Sequence, residues 1–113
     1  MKTILLMLIA LLSIFQLKAT EFITRWNLGY PGSGANTLIF GMSSTGPVNY
    51  SWETIPASSS GSGTLNGPLA IVSGLPSNAL IRLKIDTAHF KSFRLDTLNG
   101  DQQRLIDIEQ WGT

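Results

Sequence analysis

Apolar and polar residues alternate along most of this chain, in short runs bounded by Gly, Pro, Ser and Asn. A period of two marks a half-buried β-strand, because successive side chains point to opposite faces. "LIRLKID" (80–86) is the cleanest run: Ile81, Leu83 and Ile85 point one way, Arg82, Lys84 and Asp86 the other. "VNYSWETI" (48–55) sets Val48, Tyr50, Trp52 and Thr54 against Asn49, Ser51, Glu53 and Ile55. "FITRW" (22–26), "TLIFGM" (37–42), "LAIV" (69–72) and "HFKSFRLD" (89–96, with Phe93 and Leu95 inward) read the same way. The closing "LIDIEQWGT" (105–113) places Leu105, Ile108 and Trp111 at every third position and is expected to come last, as a strand or strand-like arc.

The stretches between are turn chemistry. "NLGYPGSGAN" (27–36) reads as a flexible hairpin connection and "SSTGP" (43–47) as a turn. "PASSSGSG" (56–63) reads as a flexible low-complexity segment. Asn66–Gly67 and Asn99–Gly100 mark tight turns, and 101–104 one helical turn. About seven or eight short strands at this spacing predict an all-β chain, a single two-layer antiparallel sandwich of immunoglobulin-like type. Trp52, Ile81, Leu83, Ile85, Phe93 and Leu95 are its expected core.

The N-terminus does not belong to that pattern. Lys2 is followed by an apolar run from Ile4 to Phe15, broken only by Ser13, and a short exit from Gln16 to Ala19. This is the layout of a secretory signal peptide. The run is shorter than the roughly 20 apolar residues a membrane-spanning helix needs. Residues 1–19 are therefore expected to be removed, leaving the sandwich domain over 20–113 with no transmembrane segment, secreted or held at the cell surface.

Removing Lys2 and Lys18 changes the charge balance: six basic residues remain against seven acidic ones. That leaves no basic footprint for nucleic acid and no polybasic patch for anionic lipid. Cysteine is absent, so disulfides cannot supplement a small core, and a lipoprotein anchor is excluded. Stability must come from sheet packing or from a neighbouring domain, a composition that suits a bacterial extracellular protein.

Candidate chemistry is sparse. His89, the single histidine, has no nucleophile motif or orienting carboxylate beside it and reads as a strand-end residue. Gly29, Gly32 and Gly34 faintly resemble a phosphate cradle, but the segment that follows is a strand, not a helix. Asp96, Asn99 and Asp101 are oxygen donors of the kind calcium accepts, without the EF-hand spacing, and read as Asx capping of a turn. Asp107 and Glu109 share one strand face and read as solvated. No catalytic residue, metal ligand or cofactor is expected. Among the aromatic residues Trp26, Tyr30, Tyr50, Trp52 and Trp111, the loop residue Tyr30 is the candidate ligand contact.

"FITRWN" after a signal peptide, a Gly-rich loop and a terminal "FKSFRLD…NGDQQRLIDIEQWGT" together resemble the N-terminal module of bacterial BspA-like leucine-rich-repeat surface proteins. The matching residues are Phe22, Ile23, Thr24, Trp26 and Asn27 at the front, and Ile108, Glu109, Gln110, Trp111 and Gly112 at the back. The middle departs: "SWETIPASSS" stands where many relatives carry a Trp-Gly-Asp-Gly turn. The resemblance implies a PKD-like sandwich, no catalysis, and a structural or adhesive role at the cell surface against an unknown protein or glycan. On the structural or adhesive reading, Trp26, Trp52, Phe93 and Trp111 are the expected anchors, in the core or at a junction. No repeat of 20–29 residues is found. The expectation is therefore either a frame cut before the repeats or a domain used alone. On the alternative reading, a carbohydrate-binding module, exposed rings such as Tyr30 would stack on sugars.

Overall fold

The computed structural model describes residues 21–95 and 101–111. The expected signal peptide, Asp96 and the Asn99–Gly100 turn lie outside the described residues. The strands are β1 (Glu21–Asn27), β2 (Leu38–Ser44), β3 (Val48–Thr54), β4 (Ser60–Leu65), β5 (Leu69–Val72), β6 (Leu80–Asp86), β7 (Phe90–Arg94) and β8 (Leu105–Gln110). A 3₁₀ turn, Gln102–Arg104, precedes β8, close to the helical turn expected over 101–104.

Two antiparallel sheets form, ordered β4-β3-β6-β1-β8 and β5-β2-β7. Only the β3–β4 connection stays within one sheet; every other described connection crosses between layers. This is the expected all-β sandwich of immunoglobulin-like type, an architecture that domains share without always sharing strand order.

Alternation dictates which residues the layers enclose. On the inner face of the larger sheet, Phe22, Thr24 and Trp26 of β1 stand opposite Ile85, Leu83 and Ile81 of β6. Tyr50, Trp52 and Thr54 of β3 continue that face from the other side of β6. The smaller sheet answers with Leu38, Phe40 and Met42 of β2, and Ala70 and Val72 of β5, all fully buried. Burying each large apolar side chain contributes about 1.5–3 kcal/mol. That term holds a chain without disulfides.

The aromatic residues tie the layers together. The Trp26 ring lies 5.8 Å from Phe40 and 6.2 Å from Phe93, across the interlayer space. Phe93 also reaches Phe22 at 5.1 Å and Phe40 at 5.2 Å. Trp26 and Phe93 therefore act as anchors, although Phe93 is only half-buried. Trp52 faces inward near the sheet edge and is half-buried too. Trp111 is 73% exposed, its ring 6.0 Å from that of Phe22.

Two expectations about connecting segments need correction. The stretch 56–63 is not wholly a flexible linker, because β4 begins at Ser60 and pairs with β3 from Glu53↔Ser60 to Val48↔Leu65. The reason lies across the strands. A Cβ on Gly61 would meet the Trp52 indole at 2.5–2.9 Å, and one on Gly63 the Tyr50 phenol at 2.7–2.9 Å. Both rings lie over glycine backbone, so the serine–glycine alternation is strand patterning rather than low complexity. Likewise β2 runs on to Ser44, into the expected turn, where the Ser43 and Ser92 hydroxyls meet at 2.6 Å.

Candidate functional site

The glycine-rich segment between β1 and β2 is not a hairpin. It carries the chain from the larger sheet to the smaller one at one end of the sandwich. Buried backbone in such a crossing needs partners, and here two charged side chains supply four of them. Asp101 and Arg104, flanking the 3₁₀ turn, are 1% and 3% exposed.

The Asp101 carboxylate accepts from the Ser33 N–H (2.7 Å), the Ser33 hydroxyl (2.8 Å) and the Ile39 N–H (2.5 Å). Arg104 Nε–H donates to the Tyr30 carbonyl at 2.8 Å, and Nη1–H to the Thr37 carbonyl at 2.9 Å. The two side chains also form an ion pair at 3.6 Å. Charged residues are almost never fully buried unless paired, and these two are paired with each other and with the loop. Gly32 lies directly beneath them, where a Cβ would overlap both Asp101 Oδ1 and Arg104 Nε. Its requirement is close approach.

The Asx-capped turn expected over 96–101 lies largely outside the described residues; within them, the Asp101 side chain makes no capping bond to the 3₁₀ turn, because the loop amides take its oxygens. Secondary contacts complete the latch. Leu28 N–H donates to the Ala79 carbonyl (2.9 Å), and Asn36 bonds Leu75 through both side chain (2.7 Å) and backbone (3.0 Å). From this fastened base the Tyr30 side chain stands 52% exposed. Functional side chains concentrate on loops positioned by a rigid scaffold.

Sequence reasoning selected Tyr30 but missed its two holders. An Asp and an Arg three residues apart in a turn-rich segment look like solvated surface, and no spacing rule marks them as buried. The pairing of a long glycine-rich crossing with an isolated acid–base pair is the one signal that could have pointed there.

The outer face of the larger sheet carries a second polar array. Asp107 and Glu109 stay at the surface, as expected of a wet strand face, but they are paired. Arg25 bonds Asp107 at 2.6 Å and approaches Glu109 at 3.3 Å; Arg82 meets Glu109 at 3.1 Å and Glu53 at 3.5 Å; Lys84 meets Glu53 at 3.2 Å. Acids on β3 and β8 thus flank the bases on β6 and β1. An open groove of about 330 Å³ lies beside this array, lined in part by Ser51, Glu53, Ser60, Ser62 and Lys84.

The Lys84 ammonium, with Arg82 behind it, holds the Glu53 carboxyl below its usual value, and the Arg25 guanidinium does the same for Asp107. A carboxyl depressed in the folded state stabilises the fold above its unfolded pKa and loses that contribution as pH falls through its folded pKa. Stability is therefore expected to fall on acidification below pH 4.5, the ordinary value for Glu53, and to go on falling below 3.8, that for Asp107. Exposed pairs are screened by salt, so chemical denaturation across that range should show a shallower loss in molar NaCl than in dilute buffer.

His89 is exposed, its ring 3.4 Å from the Thr45 hydroxyl at a turn, as expected of a strand-end residue. No helix among the described residues is long and apolar enough to cross a membrane. Comparison of the chain with family models, with curated proteins and with solved structures finds no match.

Proposed function

We propose that the chain is a non-catalytic module of a bacterial surface protein, secreted by its N-terminal leader, with a structural or adhesive role in protein–protein contact. The observation that carries this reading is the latched loop. Two buried charges hold one glycine-rich crossing in place, and a half-exposed tyrosine projects from it. Fixing a contact loop before binding lowers the ordering cost that association must overcome. Trp111, exposed at the far end of β1, offers a second apolar contact of the kind that marks interaction surfaces. The likeness of the chain's two ends to BspA-like modules supports the same role.

A glycan is the second reading, and the half exposure of Tyr30 favours it, since a free ring can stack on a sugar. A flat platform would need a second ring beside the first. Tyr30 and Trp111 instead stand at opposite ends of β1, about 20 Å apart at 3.3 Å per residue. Binding of the purified protein to immobilised collagen, fibronectin and laminin, alongside a glycan array, separates the readings. Tyr30→Ala should weaken binding to a matrix protein about tenfold, as loss of an aromatic contact does, with unchanged circular dichroism. Binding confined to polysaccharides and lost in Tyr30→Ala would establish the glycan reading instead.

A further inference from the structure

We propose that β4 is a self-association edge: two copies of this chain pair their β4 strands antiparallel about a two-fold axis, extending the larger sheet across the interface. The sandwich has four edges, β4, β8, β5 and β7. Proteins guard exposed edges with charge, bulges, proline or brevity, and three of these edges are so guarded. β8 shifts register twice against β1 and carries Asp107 and Glu109. β7 shifts register once against β2 and carries Lys91 and Arg94. β5 is four residues long and follows Pro68.

β4 has none of these devices. It spans six residues without charge or proline, in unbroken register with β3, and among the described residues no strand lies on its other side. The same contrast selects the occupant. Self-pairing at β8 would set acid against acid, and at β7 base against base, whereas β4 opposes no like charges.

The faces match as well. Antiparallel pairing centred on Ser62 sets Gly61 opposite Gly63 of the second copy, and Ser60 opposite its Thr64. Directly opposed residues share a face, so glycines meet on the inner side and hydroxyls on the outer. Trp52 and Tyr50, half-buried over Gly61 and Gly63, would then lie beside Tyr50 and Trp52 of the second copy. Their apolar ring area would leave water.

Such an interface is smaller than a standard one, and we place its Kd on the order of 10–100 µM. Sedimentation velocity of the purified protein from about 5 µM to about 1 mM brackets that value. The expected result is a reversible rise from one chain to two. Ser62→Lys places like charges across the two-fold axis from an exposed position that does not disturb the core, and should weaken the dimer at least about tenfold. Ile71→Lys, on the other uncharged edge, should leave it unchanged. Amide exchange in β4 should slow as concentration rises. A monomer throughout, an unaffected Ser62→Lys dimer, or a dimer lost in Ile71→Lys would overturn the proposal. So would capture of only a foreign extended peptide at β4.

Discussion

Replacing Asp101 with alanine is expected to destabilise the sandwich by about 3–5 kcal/mol, the range seen when one member of a buried ion pair is removed. The cost does not measure the attraction between the two groups. It arises because Arg104 remains, 3% exposed, as a charge with no compensating carboxylate, and because the N–H groups of Ser33 and Ile39 lose their acceptor. Each stranded donor adds desolvation that nothing repays. Folded domains are stable by only about 5–15 kcal/mol, so the change consumes a large share of the total. Arg104→Ala should cost a similar amount through the mirror effect on Asp101. The double variant should cost less than the two single changes added together, because removing both charges removes the stranded partner. Urea unfolding followed by circular dichroism supplies all three values. Single-variant losses under 1 kcal/mol, or strict additivity, would show that water reaches the pair and that the loop is held by other means.

The same variants bear on the loop. If the latch fixes Tyr30, Asp101→Ala should raise amide exchange selectively over the segment joining β1 and β2. It should also weaken partner binding under conditions where the domain remains folded. A purely structural pair would lower stability without that local signature.

How much of this was legible in the sequence depended on which force wrote each segment. "LIRLKID" and "VNYSWETI" were read correctly, face by face, because burial on one side of a sheet leaves a period of two. The segment 56–63 was misread because glycine and serine carry no hydrophobic signal. The reason for Gly61 and Gly63 sits on β3, in the rings of Trp52 and Tyr50 that lie over them. Cross-strand fit of this kind becomes visible only once register is known. The burial of Asp101 and Arg104 escaped the sequence for another reason. Their burial follows from the backbone of a loop more than 60 residues earlier, which no local pattern encodes. Trp111 lay between two readings, since its spacing from Leu105 and Ile108 suggested the core. The strand in fact ends at Gln110, and the indole is 73% exposed, with its ring 6.0 Å from Phe22.

Trp26→Ala should be the most damaging apolar substitution, costing about 3–5 kcal/mol as large core truncations do. Its side chain is fully buried, stacks on Phe40 and meets Phe93 edge-on, so it belongs to one layer and fills the space against the other. Its Nε1–H donates to the Thr24 hydroxyl at 2.8 Å. Truncation therefore leaves a cavity between the sheets and removes the donor to a buried oxygen. Sheets crossed by so many interlayer connections cannot slide together to fill that space, which places the expected cost high in the range. Trp26→Phe retains most of the volume and should cost markedly less, leaving mainly the loss at Thr24. Trp111→Ala supplies the contrast: at 73% exposure it should change stability by less than about 0.5 kcal/mol. If Trp111 is a contact residue, that same substitution should weaken association with a surface partner while leaving the unfolding midpoint in place. A loss of several kcal/mol in Trp111→Ala would assign it to the core instead, and would remove it from the interaction surface.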